Sequence, residues 1–316
     1  MSIGAIPGAE NDTQKEDAPV VPVTNENGSR LAVLFLAIAG CLWGTGFLFG
    51  KIALREMSVT ENVTFRFACG AVVLLPFLLK SWKPFRGRDL WMLMIISVVG
   101  VPVQFLIQFT GLQFTTVSHA SLIVGTLPIL LALGSTIFLN ERLTTTEWAV
   151  LFVSSCGTLL IALPTKDSVS GPQPSTKGDL LVLISMLAAV AMILVTKRLV
   201  DTHDSLQITA AMIVVGTLFL LAWADVRQPL RFHFSLSVWG AVAAQGLLAT
   251  AGAYLFWNWG LARVSASRSG IFLNLEPIVG TILGLLVLHE RLRLTAAFGG
   301  ALTIACAIYF SRRPAA

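Results

Sequence analysis

The chain has 316 residues, 55% of them hydrophobic and 12% charged, with a formal net charge of +5. Soluble globular chains carry about 25% charged residues, and 17 acids with 22 bases cannot cover a water-soluble fold of this length. Two soluble domains are therefore excluded, which leaves a polytopic membrane protein. The bases are scattered between apolar runs rather than gathered into a patch, so they orient a membrane protein and make no nucleic-acid surface.

Residues 1–30 are rich in Pro, Asn, Glu, Thr and Gly, hold no apolar signal-peptide core, and read as a disordered tail. From Leu31 onward, apolar runs of roughly 20 residues alternate with short polar breaks. Ten spans are predicted, at 31–54, 58–79, 89–110, 116–139, 146–163, 178–199, 205–224, 236–260, 266–288 and 293–311. The first carries Gly40, Gly44, Gly46 and Gly50, two GxxxG pairs that let another backbone approach. Arg66 lies about eight residues into the second span, and Gln104 and Gln108 share a face of the third with Gly111. After the fifth span comes PTKDSVSGPQPSTK at 164–177, the one interior stretch that reads as a linker. Asp204 is placed to cap the seventh helix, and Thr250, Tyr254 and Trp257 share a face of the eighth. The ninth contains Asn274, Glu276 and Pro277.

Several apparent motifs carry no chemistry. Cys41, Cys69, Cys156 and Cys306 all fall in apolar runs without CxxC spacing, so neither a disulfide framework nor a zinc site is expected. GTGFLFGK at 44–51 has Thr45 where a phosphate loop needs Gly and Ile52 where it needs Ser or Thr. DTHD at 201–204 stands alone in a short loop. No metal and no cofactor is expected.

The linker separates 31–163 from 178–312, and these halves resemble each other. A shift of 149 residues lays GLQFTTVSHASLIVGTLPI at 111–129 over GLARVSASRSGIFLNLEPI at 260–278, and LNERLTTT at 139–146 over LHERLRLT at 288–295. A coincident Pro and a coincident Glu-Arg-Leu triplet at one offset mark an internal duplication. Five spans per half is an odd number, so the second half enters from the opposite face. The expected fold is an all-α membrane protein of ten transmembrane helices arranged as two inverted five-helix repeats. The face holding both chain ends then carries thirteen of the 22 Lys and Arg residues, with KSWKPFRGR at 80–88 as their densest cluster. Both termini are expected in the cytoplasm, with 164–177 external.

The chain resembles the EamA branch of the drug/metabolite transporter superfamily. The likeness rests on LWGTGFLFGKIAL at 42–54, TFRF at 64–67, LP at 127–128 followed by NERL at 140–143, KGDLLVLISML at 177–187, LEP at 275–277 and HERL at 289–292, in that order. It implies a bacterial inner-membrane carrier without covalent cofactors, in a class that includes exporters of amino acids and other metabolites. One departure separates the halves: Glu276 precedes the proline of the second repeat, whereas Leu127 precedes that of the first.

Glu276 is the expected proton-coupling group. It lies about ten residues into its span, near mid-bilayer at roughly 1.5 Å rise per residue, where a carboxylate costs about 2.5–3.5 kcal/mol and must face the bundle or a wet cavity. Arg66 is its natural counter-charge, a site for a substrate carboxylate, or a side chain that snorkels to the headgroups. Gln104, Gln108, Thr250, Tyr254 and Trp257 put uncharged donors beside aromatic rings, a lining suited to a small zwitterion, while helix–helix hydrogen bonding is the structural alternative. Asn274, Trp43, Gln245 and His119 complete the substrate-binding candidates. The expected function is a secondary transporter for a small organic metabolite, working by alternating access in the lipid bilayer with protons as coupling ion. An uncoupled exchanger is the rival, and an intramembrane enzyme would need a second carboxylate or a His/Cys set at membrane depth.

Overall fold

The computed structural model describes residues 26–80, 83–115, 123–162, 175–227, 229–288 and 294–312, and every regular element among them is a helix. Most of the 1–30 tail, nearly all of the 164–177 linker, and His119 lie outside the described residues. In the first half α1 (Glu26–Ala53) and α2 (Val59–Lys80) precede one continuous run. That run is α3 (Gly87–Val98), a π-helical turn (Val99–Val103) and α4 (Gln104–Leu112). Then follow α5 (Leu127–Phe138) and α6 (Thr145–Ala162). The second half opens with α7 (Thr176–Val200) and α8 (Ser205–Arg227). Its long run is α9 (Leu236–Ala244), a π-helical segment (Gln245–Gly252) and α10 (Ala253–Leu261). A broken helix follows, made of α11 (Ala266–Ser269), a 3-10 segment (Gly270–Asn274) and α12 (Leu275–Leu288), and α13 (Leu294–Ser311) ends the fold.

Among the described residues, six helices are long and apolar enough to cross a membrane: Arg30–Ala53, Val59–Lys80, Gly87–Gly111, Thr176–Val200, Ser205–Val226 and Leu236–Leu261. Leu127–Phe138 and Ala297–Phe310 are apolar but shorter. Large apolar side chains cover the outside, among them Leu236 at 88% and Leu294 at 90% exposure. Such a surface is stable against hydrocarbon and not against water.

The duplication is visible in the backbone. The 149-residue offset carries the run 87–112 onto 236–261 and α6 onto α13, end for end. It also carries Val99–Val103 onto 248–252, inside the π-helical Gln245–Gly252. In the first half the cause is local, because Pro102 lacks an N–H and its ring crowds the carbonyl four residues back. The matching position in the second half is Ala251, so the widened turn there is not imposed by a proline.

The close helix pairs take one member from each half: α2 lies on α8, α4 on α7, α6 on α13, and α1 on α10 and α12. Glycine permits some of these contacts. A Cβ on Gly157 of α6 would sit 2.6 Å from Thr303 Oγ1 and 2.7 Å from the Gly299 carbonyl of α13. Interlocking of this kind puts the polar residues of both halves along one central seam.

Candidate functional site

The seam is built by α1, α2, α4, the Gln245–Gly252 segment, α10 and α12. Arg66 projects from α2 with only 5% of its surface exposed. Its Nε donates to Thr250 Oγ1 at 2.7 Å, and its Nη2 donates to the Ala249 carbonyl at 3.0 Å. Both acceptors belong to the π-helical segment, whose widened turn leaves a main-chain carbonyl available to a side chain. The guanidinium also lies 4.8 Å from the ring centre of Phe105 on α4 and 5.3 Å from that of Phe67, a favourable placement for a cation out of water. Among the described residues Arg66 is thus held by neutral acceptors and forms no ion pair.

Tyr254 and Trp257 of α10 are buried against Trp43 of α1. The ring centres of Trp43 and Tyr254 are 5.4 Å apart and nearly perpendicular, and Trp43 and Trp257 are 5.2 Å apart. Such edge-to-face and tilted contacts fix the rings as a wall. Tyr254 lies within electrostatic reach of both Arg66 and Glu276.

Glu276 occupies the first turn of α12 and is half-buried. Among the described residues its carboxylate has no ion-pair or hydrogen-bond partner, although Arg66 is close enough to act on it through space. The backbone beside it is pressed against α1, where a Cβ on Gly44 would meet the Glu276 carbonyl at 2.6 Å and Val279 Cβ at 2.7 Å. Gly44→Ala must push α12 and its carboxylate away from α1. A destabilisation of about 1–3 kcal/mol is expected for such overpacking, read as a lower melting temperature of the purified protein in detergent; an unchanged value would contradict the packing.

The remaining sequence candidates are distributed around this core. Gln245 donates to the Gly46 carbonyl of α1 at 3.0 Å and leaves its Oε1 unpartnered. Gln104 is buried with an unpartnered Oε1, and Gln108 is half-buried one turn later on α4. Asn274 donates to Ser154 Oγ of α6 at 2.8 Å, which ties the 3-10 segment to that helix. No group of metal-binding side chains occurs among the described residues.

Sequence reasoning assigned no partner to several residues that join the halves. Glu141 accepts from the main-chain N–H groups of Ala266 and Ser267 at 2.8 and 2.9 Å and from Ser267 Oγ at 2.6 Å, so one half caps the α11 helix of the other. The repeated Glu-Arg-Leu triplet was the available signal. Glu147 forms a 2.7 Å ion pair with Arg268, and Glu61 forms one of 2.8 Å with Arg231. Both acids also close capping boxes, Ser58–Glu61 and Thr144–Glu147, and these are legible as S/T-x-x-E.

The model of the EamA-like transporter family matches residues 30–163 and 176–312. A Bacillus subtilis protein named uncharacterized transporter YetK is 26% identical, covering 88% of this chain and 84% of its own length. An Escherichia coli protein named biotin transporter is 24% identical, covering 88% of this chain and 92% of its own. One solved crystal structure superposes with a TM-score of 0.74 at 18% identity, over 87% of this chain and 94% of that one, which establishes a shared fold.

Proposed function

We propose that this chain, which belongs to the EamA-like transporter family, is a secondary carrier with Glu276 as its proton-coupling group. Family and relatives make it a multi-pass membrane transporter of small molecules. The finer reading has ten spans in two inverted five-helix repeats that rock about the central seam. Its cargo is an amino acid or a related compound, moved outward across a bacterial inner membrane.

One observation carries this reading: opposite charges face one seam without pairing. Arg66 is held by neutral acceptors, and the Glu276 carboxylate is unpartnered among the described residues. Arg66 suits a substrate carboxylate, and the wall of Trp43, Tyr254 and Trp257 suits an apolar or aromatic body. Glu276 takes up a proton, or receives an ammonium group, when the seam opens to water. The relative named a biotin transporter supports organic-acid cargo as a second branch of the same chemistry. The test is proteoliposome uptake of amino acids, amines and organic acids, with and without a pH gradient. Gradient-stimulated uptake of a carboxylate-bearing compound is expected; uptake indifferent to the gradient would favour an uncoupled exchanger.

In the proposed orientation both chain ends face the cytoplasm. Thr202, in the α7–α8 connection, and Ser237, in the first turn of α9, are both exposed and lie at opposite ends of their helices. With the four native cysteines removed, an impermeant thiol reagent applied to whole cells should label Ser237→Cys and spare Thr202→Cys. The reverse pattern would invert the orientation, and labelling of both would overturn the span count.

A further inference from the structure

We propose that the α1–α2 and α8–α9 connections form a gate over the central seam, latched by Glu61 and Arg231 and biased towards opening by Asn62. The proposal rests on the carrier reading for its purpose but not for its geometry. The latch joins the two halves: Arg231 Nε donates to Glu61 Oε1 and Nη2 to Oε2, each at 2.8 Å. The Arg231 main-chain N–H reaches Oε1 at 3.2 Å, and a second Nη2 bond of 3.0 Å goes to the Glu56 carbonyl. Glu61 itself is 3% exposed. Beside it the Glu56 carboxylate accepts from the Ser235 N–H at 2.8 Å and from Ser235 Oγ at 2.6 Å. The Ser235 hydroxyl and amide hold this carboxyl below the usual carboxylate range, so the tie persists at neutral pH. Beneath the polar ties, Phe65 of α2 meets Phe232, Phe234 and Trp239 with ring centres 5.4, 6.4 and 5.0 Å away. Every contact in this set pairs a first-half residue with a second-half one, so each must break if the halves separate at this face.

The opposing term is the neighbouring residue. Asn62 is completely buried, and among the described residues neither its Nδ2 nor its Oδ1 has a hydrogen-bond partner. A buried amide with both ends unmade is among the costliest neutral groups to keep in a folded protein. Asn62 lies one helical turn before Arg66 on the same face of α2, on the way from the latch to the seam. Opening the gate wets Asn62 and removes its penalty, while closing it makes the latch and the aromatic plug. Two states with compensating terms differ little in free energy, as an alternating-access carrier requires. The other face has its own ties between halves, Glu147 with Arg268 and Glu141 with Ser267, so the described arrangement is tied at both ends of the seam.

Val242, fully buried in the cluster that holds Phe65, is the reporter. Val242→Cys would be introduced into the full chain lacking native cysteines, and its reaction with an impermeant thiol reagent followed in reconstituted vesicles. Arg231→Gln should raise the labelling rate about tenfold or more, because it unmakes the latch and leaves the buried Glu61 carboxylate without its charged partner until the gate opens to water. Asn62→Leu should lower it about tenfold, and the double variant should return towards the parent rate. Unchanged labelling in a folded Arg231→Gln protein, or no slowing in Asn62→Leu, would overturn the gate. Transport is measured on the same vesicles: labelling that shifts as stated in a protein that carries no solute would leave the gate standing and refute the carrier.

Discussion

Replacing Glu276 by Gln should abolish transport driven by a pH gradient while leaving the protein folded and capable of solute exchange at equal concentrations. Gln preserves size and most hydrogen bonding but cannot take up a proton. Two outcomes separate coupling from a structural role. If Glu276 balanced Arg66 as a buried pair, its loss would strand a charge at about 3–5 kcal/mol, and folded yield would fall. The geometry points the other way, because Arg66 is already bonded to Thr250 and to the Ala249 carbonyl, and Glu276 makes no ion pair among the described residues. Folded yield should therefore stay near that of the parent, and Arg66→Gln should not be needed to restore it. The measurement is gradient-driven uptake, equal-concentration exchange and folded yield on one preparation. Full pH-driven uptake by a well-folded Glu276→Gln protein would remove this residue from the mechanism.

Arg66→Gln should weaken binding of a carboxylate-bearing substrate by about 30-fold or more. Truncating one partner of a buried hydrogen-bonded charge pair costs about 2–5 kcal/mol, and each 1.4 kcal/mol is roughly tenfold. Arg66→Lys should fail nearly as badly. The guanidinium divides itself between a hydroxyl, a carbonyl and the face of Phe105, and a compact ammonium cannot hold that geometry and also present donors to a substrate. Binding of an analogue lacking the carboxylate should change little in either variant. Competition binding with the acid and its amide decides the matter: equal losses for both would show that Arg66 supports the fold of the seam rather than its recognition.

Both predictions begin from residues already conspicuous in the sequence. An isolated Arg or Glu within an apolar run is a local anomaly, and its cost depends on the medium and not on the fold. Capping acids are equally local: Asp204 accepts from the Gln207 N–H at 3.0 Å, as its place before a helix led one to expect. What Arg66 touches was a different kind of question. Its partners lie 183 and 184 positions away, and nothing in either segment favours Thr250 over Glu276 until the helices are packed. Asn62 shows the same limit from the other side. In the chain it is an ordinary polar residue in the first turn of a helix, and only packing reveals that it is buried without a partner among the described residues.

The sequence by itself determined the membrane class, the helical runs and the duplication, because hydropathy, helical period and a repeated offset are properties of neighbouring residues or of one shift along the chain. The widened turn at Val99–Val103 has a local cause as well, since Pro102 lacks an N–H. Only the tertiary structure decided that the equivalent turn at Gln245–Gly252 is widened without a proline and turns its Ala249 carbonyl towards Arg66. It decided, too, that Glu61 and Glu147 serve as ties between halves as well as helix caps. Caps answer to the first turn of their own helix, whereas ties depend on distances between segments far apart in the chain, which packing alone sets.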